Sequence, residues 1–226
     1  MRKEKFIDGE FYHVYNRGTD KRQIFLDEYD YNRFLQSMDE FNTLQPIGSI
    51  YENSFVKKKI ERLLGNRTSK YKKLLVKIVC YCLNFNHFHL ILQQEVKNGI
   101  SEYLKRLAGG YTKYFNNKQQ RTGVLFQGKF KAKHVSSNEY LLHLSAYVNL
   151  NDQLHTNQNY TSKKENKSSW YQYIKTGDSP KIKCSSEIIL DQFKNKKEYE
   201  LFAQDSLKTI KERKQQDKEL SGICTD

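Results

Sequence analysis

Two apolar runs separated by a short break constrain the fold of this chain more than any other feature. The first run covers 76–83 and the second covers 87–93, with Asn84-Phe85-Asn86 between them. Both runs are rich in aromatic and branched residues that favour strands, and asparagine favours turns. The segment therefore predicts an antiparallel β-hairpin near the middle of the chain.

Hydrophobic periodicity predicts further elements on both sides of this hairpin. Alternation indicates strands at 11–17 and 124–135, and helical spacing indicates helices at 28–44, 100–117 and 138–151. The order strand, helix, hairpin, helix, strand, helix predicts an α+β fold, an antiparallel β-sheet backed by helices.

Two local signals refine these helices. Ser136, with Glu139 three residues later, predicts a capping box at the start of the third helix. Gly109-Gly110 lies inside the second helix, where glycine costs up to about 1 kcal/mol. The pair predicts a close approach of another element, or a kink.

The chain divides into a folded part and a basic C-terminal part. We assign 1–155 to the sheet-containing domain and interpret 46–73, which is polar and basic, as an insertion or mobile arm. Residues 156–226 read as a basic connector followed by a short helical tail over 194–218.

Charge and aromatic content indicate the kind of partner. The formal net charge is +13, which favours a polyanion, and nucleic acid before a membrane. The chain also has 16 Tyr and 13 Phe, and although most of them belong to the core, aromatic residues among lysines suit single-stranded nucleic acid. We see neither a signal peptide nor a membrane-length apolar run, and the four cysteines have no zinc or disulfide spacing. We therefore expect a cytoplasmic, nucleoid-associated protein.

A histidine pair opens the second strand of the hairpin. His87 and His89 flank Phe88, and side chains alternate along a strand, so both imidazoles lie on one face. Two such imidazoles form half of a divalent-metal site or a phosphate-binding pair. Alone the pair is a weak signal, and its value depends on what else the chain brings to that face.

The third predicted helix supplies candidates for the rest of a site. His143, Tyr147 and Asn151 recur every four residues and therefore share one helical face. A tyrosine hydroxyl can act as a covalent nucleophile in phosphodiester cleavage, but its ordinary pKa near 10 means that it needs help. A metal ion on the histidine pair could give that help, with Asn151 as a third ligand. On the second helix, Tyr111 and Tyr114 are alternative nucleophiles.

Four blocks of this sequence resemble, in the same order, those of the single-tyrosine HUH transposases. The branch with the greatest resemblance is the REP-associated tyrosine transposases, which are related to the transposases of small single-strand insertion sequences. The resemblance spans roughly 5–155, and the order of its blocks argues against a chance match. The blocks are Phe11–Gly18, Tyr81–Leu83 with Asn86–Leu90, Gly123–Lys131 and Tyr147–Asn151.

The resemblance implies a ferredoxin-like HUH nuclease fold and a set of roles. His87, His89 and Asn151 match the metal ligands of the family, Tyr147 matches its nucleophile, and the ion would be Mg²⁺ or Mn²⁺. The implied reaction is cleavage of single-stranded or hairpin DNA, through a 5′-phosphotyrosine link that leaves a free 3′-OH, and a homodimer is possible. Phe85 replaces the usual proline before the histidine motif, and Asn151-Asp152 replaces Asn-Pro, yet neither change removes a catalytic atom.

Other polar residues are candidates for DNA contacts. Lys129, Lys131 and Lys133 would share one face of the 124–135 strand and touch phosphates, unless that face is simply solvated. Asn16 and Arg17, at the end of the first strand, could read base edges or clamp the DNA backbone. His143 is an auxiliary candidate for proton relay or DNA contact, with a surface histidine as the alternative reading.

Three functions compete on this sequence. The leading one is a metal-dependent transesterase of single-stranded DNA in transposition. The alternative is a catalytically silent or domesticated protein that binds DNA hairpins without cutting them. A metal-independent histidine phosphodiesterase ranks last, because such enzymes use two separated His-x-Thr/Ser motifs and only one histidine pair is present.

Overall fold

A four-stranded antiparallel sheet lies at the centre of the computed structural model, which describes residues 5–64, 73–155, 167–175 and 181–223. The strands of these residues are β1 Phe11–Arg17, β2 Val76–Asn84, β3 His87–Gln94 and β4 Lys131–His134. The helices are α1 Glu28–Glu40, α2 Ile50–Leu64, α3 Gly99–Lys118, α4 Asn138–Asn149, α5 Trp170–Ile174, α6 Glu187–Leu190 and α7 Lys196–Ile223.

The strand order β2-β3-β1-β4 gives the sheet its topology. The predicted hairpin is confirmed: β2 and β3 pair antiparallel across a turn at Phe85 and Asn86. β1 lies between β3 and β4 and is antiparallel to both. With α1 after β1 and α3 after β3, this is the β-α-β-β-α-β arrangement of ferredoxin-like folds, which confirms the predicted α+β, HUH-type architecture.

Both faces of the sheet are covered, which explains why β2 and β3 are almost continuously apolar. On one face, α1 and α3 pack over buried side chains such as Val14 and Leu90. On the other, α4, α5 and α7 pack over Val79, Cys80 and Ile91. A bulge between Ile78 and Cys80 turns the consecutive residues Val79 and Cys80 to the same face.

The strand predicted over 124–135 is wrong in its first half. β4 begins only at Lys131, and the preceding segment is a loop with an isolated bridge between Phe126 and Gly18. Gly128 has a φ of 64°, which lies outside the extended region and interrupts the predicted strand. The lysine at 129 therefore does not continue the alternation of Lys131 and Lys133.

The ends of two helices also differ from the prediction. α1 ends at Glu40 and α4 at Asn149, so both are shorter than expected. The cap of α4 is Ser137 rather than Ser136: its side chain accepts a hydrogen bond of 3.1 Å from the Tyr140 backbone N–H. The predicted capping box is therefore wrong: three residues after Ser137 comes Tyr140, which has no carboxylate to complete the box, and Ser137 acts as a simple cap.

The predicted close approach at the glycine pair is found at Gly110. A Cβ added there would lie 2.5 Å from the Phe41 ring, whereas one added at Gly109 would meet nothing within 4 Å. The absence of a side chain at Gly110 thus lets Phe41 pack directly on α3.

The C-terminal part of the chain contributes to the core. Trp170, Tyr173, Tyr199 and Ala203 are buried together with residues of α4 and β2. The segment 46–73 contains α2, and its residues 65–72 lie outside the described ranges, as do 156–166 of the connector. The division of the chain at residue 155 stays a prediction. Within the described ranges no helix is both long and apolar enough to cross a membrane.

Candidate active site

The two histidines of β3 lie on the sheet face that carries α4. Phe88 lies between the two histidines and Leu90 follows them, and both pack into the core on the side of α1 and α3. Because side chains alternate along a strand, the imidazoles lie on the opposite face. The ring centroids of His87 and His89 are 5.1 Å apart, with the rings perpendicular. His87 Nδ1 lies 2.6 Å from Asn86 Oδ1, which leaves its Nε2 as the lone-pair nitrogen.

A third histidine, which the sequence interpretation missed, supports this pair. His13 on β1 is buried, and its Nε2 lies 2.9 Å from His89 Nδ1. Burial, together with nearby Lys133, lowers the pKa of His13 to about 4. A neutral His13 can accept the Nδ1 proton of His89, which makes Nε2 the nitrogen of His89 that carries a lone pair. The alternation of β1 could have revealed His13 only with the strand register known.

Tyr147 of α4 lies over the histidines. Its ring centroid is 5.7 Å from that of His89 and 6.2 Å from that of His13, in edge-on contacts. The side chain is half-buried, and burial raises the pKa of its phenol, while neighbouring Asn151 partly offsets the rise. The hydroxyl is therefore neutral, and its use as a nucleophile requires a nearby positive charge.

Asn151 lies beyond the end of α4, in a short 3₁₀ segment that runs from Asn151 to His155, yet it remains beside Tyr147. It is fully buried, and its Oδ1 accepts a hydrogen bond of 2.8 Å from Asn84 Nδ2. Within the described ranges, Asn151 Nδ2 has no hydrogen-bond partner although it is buried. A buried N–H donor without an acceptor is energetically costly, so this amide nitrogen favours a bound group that accepts a hydrogen bond from it.

The alternative nucleophiles are not near the histidines. Tyr111 is fully buried on the α1 and α3 side of the sheet, where its hydroxyl donates to the Ile24 carbonyl at 2.6 Å. Tyr114 donates to Asp30 Oδ1 at 3.0 Å. His143, the auxiliary candidate, faces α7, since its Nδ1 lies 3.1 Å from Ser206 Oγ and its ring contacts Phe202. The structure thus brings Tyr147, but not these three, to the histidine pair.

The donor set suits a divalent cation. His87, His89 and Asn151 offer two imidazole nitrogens and an amide oxygen, all of which are ligands of first-row divalent ions. Within the described ranges, no cluster of three or more His, Cys, Asp or Glu side chains could hold a metal. The three predicted ligands carry no negative charge, so an ion bound by them keeps most of its charge for a phosphate.

A cleft of about 840 Å³ opens beside His87. Its walls carry the aromatic rings of Tyr15 and Phe85 and the cationic side chains of Arg17 and Lys131. The exposed Arg17 guanidinium donates to Gln127 Oε1 at the rim. Aromatic rings among cations are the elements with which proteins hold unpaired nucleotides.

The predicted DNA-contact residues are divided between the two faces of the sheet. Lys131 and Lys133 pair in register with Tyr15 and His13, and cross-strand partners share a face, so both lie on the histidine side. Lys129 instead lines a second cavity, of about 440 Å³, beside α3. Asn16 is buried, and its side chain holds the Arg17 N–H and the Gly128 carbonyl. Its hydrogen bonds support the loop before β4.

The sheet, the histidine pair on β3 and the tyrosine of the covering helix α4 have the arrangement that the resemblance to the single-tyrosine HUH proteins leads us to expect. Residues 48–151 match the family described as "Transposase IS200 like", a range that includes the histidine pair, Tyr147 and Asn151. This match confirms the family predicted from the sequence blocks. Over these residues the chain is similar to the single-tyrosine transposases.

Comparison with solved structures gives a further similarity. A structure described as a REP-associated tyrosine transposase bound to a REP hairpin matches with a TM-score of 0.48 and 14% identity. The match covers 80% of this chain and 88% of the other. No curated protein matches the chain.

Proposed function

We propose that this protein cleaves and rejoins single-stranded DNA by transesterification, with Tyr147 as nucleophile and a divalent cation bound by His87, His89 and Asn151. The observation that carries the proposal is the convergence of these four side chains: the Tyr147 ring packs edge-on against His89, and Asn151 lies one turn beyond Tyr147. Most other side chains between α4 and the sheet are apolar. A cluster of two imidazoles, an amide and a phenol does not stabilise such an interface, which is why we assign it a function.

The reaction needs no external reactant. The Tyr147 oxygen attacks a backbone phosphorus, forming a new P–O bond, and the bond from phosphorus to the 3′ oxygen of the preceding nucleotide breaks. The phenol loses one proton and the departing 3′ oxygen gains one, so the products are a 5′-phosphotyrosine and a 3′-OH. The reverse attack by a 3′-OH rejoins a strand and restores the phenol.

The cation would polarise the scissile phosphate and stabilise the negative charge that develops on it. The protein's own part is to hold the reacting groups in place. His13 fixes the orientation of His89 through the 2.9 Å contact, and Asn86 does the same for His87 at 2.6 Å. Burial raises the pKa of the Tyr147 phenol, so the phenol would need the positive charge of a cation nearby to lose its proton.

The cleft beside His87 is the proposed path of the DNA strand. Lys131 and Lys133 would contact phosphates, and Arg17 would contact a phosphate or a base edge. Tyr15 and Phe85 offer rings on which an unpaired base can stack. A hairpin-containing single strand is the substrate class that the family resemblance implies, and transposition is the process that such chemistry serves.

The test is formation of a covalent adduct. The full chain is incubated with Mn²⁺ and an oligonucleotide that carries a hairpin and single-stranded flanks, labelled so that the 5′-phosphorylated product is visible on a denaturing gel. We expect a labelled band at the mass of the protein plus DNA. Tyr147→Phe should abolish that band while DNA binding in a gel-shift assay stays within about twofold, since one hydroxyl contributes little to non-specific affinity.

Three results would contradict the proposal. An adduct that persists in Tyr147→Phe would exclude this nucleophile, for which Tyr140→Phe on the same helix is the matched control. An adduct formed equally in EDTA would exclude metal dependence. Tight hairpin binding with no adduct on any flank would favour the alternative, a protein that binds DNA hairpins without cutting them.

A further inference from the structure

Asn84 is a polar residue of the site to which no sequence motif assigns a role. It ends β2, pairs with His87 across the hairpin turn and is only 6% exposed. Its side-chain nitrogen lies 3.0 Å from His87 Nε2 and 2.8 Å from Asn151 Oδ1. One amide group therefore contacts the lone pairs of two proposed ligands at once.

These distances are informative about what the Asn84 amide can be. Mg²⁺ and Mn²⁺ bind ligand atoms at about 2.1 Å, so neighbouring ligand atoms around an octahedral ion are about 3.0 Å apart. The contacts of Asn84 are hydrogen bonds of ordinary length, and they also have the spacing of two neighbouring ligands around one ion. The amide head thus lies where an adjacent ligand would lie.

The Asn84 amide is free to present either end. Its Oδ1 has one weak contact on the other side, with Cys82 Sγ at 4.0 Å. Rotation about the last side-chain bond exchanges the oxygen and nitrogen without moving the residue. With nitrogen inward, Asn84 donates to His87 and Asn151. With oxygen inward, the Asn84 oxygen would face the lone pairs of His87 Nε2 and Asn151 Oδ1, an arrangement that is unfavourable without a cation.

We propose that Asn84 is an additional ligand of the divalent cation, and that it provides its amide oxygen alongside His87, His89 and Asn151. This inference rests on the proposed function, since it concerns the same cation. It makes the protein part of the site four neutral side chains, two imidazoles and two amides, and leaves the remaining positions of an octahedral ion to water and phosphate.

The test measures Mn²⁺ binding to the full chain without DNA, from the loss of the electron paramagnetic resonance signal of free Mn²⁺. Asn84→Ala should raise the Kd by about tenfold or more. Asn84→Asp should lower it, because a carboxylate of the same size is a stronger ligand for a hard cation. Asn42→Ala is the matched control: Asn42 is a buried asparagine that donates to Val76 at the far end of β2, and its loss should leave the Kd unchanged.

The proposal would be overturned if the Kd of Asn84→Ala equalled or fell below that of the parent protein. Asn84 would then either have no effect on Mn²⁺ binding or weaken it by occupying the lone pairs of His87 and Asn151. Should Asn84→Ala fail to fold in a thermal melt, Asn84→Asp decides alone, and an unchanged Kd there overturns the proposal too. Failure of the broader function is separate: it appears as a parent protein that forms its Tyr147 adduct in EDTA, or none at all.

Discussion

Removing the hydroxyl of Tyr199 should loosen the attachment of α7 to the helix that carries Tyr147. Tyr199 is fully buried, and its hydroxyl accepts a hydrogen bond of 2.9 Å from Asn149 Nδ2 and lies 3.0 Å from Ser145 Oγ. Asn149 in turn accepts from Ser169 Oγ at 2.6 Å, and Ser169 contacts the backbone of Tyr81 on β2. A single phenol oxygen thus links α7 through α4 to the sheet.

The cost of Tyr199→Phe follows from which partners are left without a bond. Ser145 keeps its 2.7 Å hydrogen bond to the Leu142 carbonyl, so it is not stranded. Asn149 is fully buried, and its Nδ2 loses the acceptor that Tyr199 provides. A buried donor left without a partner costs about 1–3 kcal/mol. Because domains are stable by about 5–15 kcal/mol, the variant should fold but unfold more readily.

Urea unfolding followed by circular dichroism measures this difference. Tyr199→Phe should lower the free energy of unfolding by about 1–3 kcal/mol with an unchanged m-value. Tyr29→Phe makes the same chemical change on a side chain that is 77% exposed, and should stay within about 0.5 kcal/mol of the parent. A Tyr199→Phe protein as stable as the Tyr29→Phe control would refute the reasoning, because the buried network would then contribute nothing measurable.

Two further predictions concern α3 and the histidine cluster. Gly109→Ala should stabilise the protein by up to about 1 kcal/mol, because alanine has the higher helix propensity. Gly110→Ala should destabilise it, because the new methyl group would lie 2.5 Å from the Phe41 ring. Equal melting temperatures of the two variants would contradict this prediction. His13→Ala should weaken Mn²⁺ binding by about tenfold or more, whereas His13→Gln should retain most of the affinity because glutamine keeps a hydrogen-bond acceptor for His89. Loss of Mn²⁺ affinity in both variants would exclude the orienting role of His13.

Local patterns were sufficient to predict the parts of this fold that depend on neighbouring residues. The hairpin followed from two apolar runs and an asparagine-containing turn, and the positions of His87 and His89 on one face followed from strand alternation. Tyr147 and Asn151 were predicted to lie together from helical spacing. Asn151 lies beside Tyr147 although α4 ends two residues before it, because the chain turns directly from Leu150 into the 3₁₀ segment that begins at Asn151.

The features that could not be predicted depend on contacts between distant elements. His13 reaches His89 only because β1 pairs with β3, and Asn84 reaches Asn151 only because α4 packs on that face. Lys129 departs from the predicted face because of the backbone of Gly128, whose positive φ no hydrophobic pattern reveals. The helix at the C-terminal part was predicted, but its buried residues Tyr199, Ala203 and Leu207 do not reveal from their spacing which elements they pack against.

The packing of α4 onto the sheet of its own chain has a kinetic consequence. On the proposed function, in which His87, His89, Tyr147 and Asn151 of one polypeptide form the site, first-strand cleavage would be first order in protein, and dilution would not slow it per molecule. With one phenol per site, a molecule that held a DNA end covalently could not cut a second strand until that end was released. Exchange between two ends would then require either two loaded molecules in one assembly or sequential turnover of a single one.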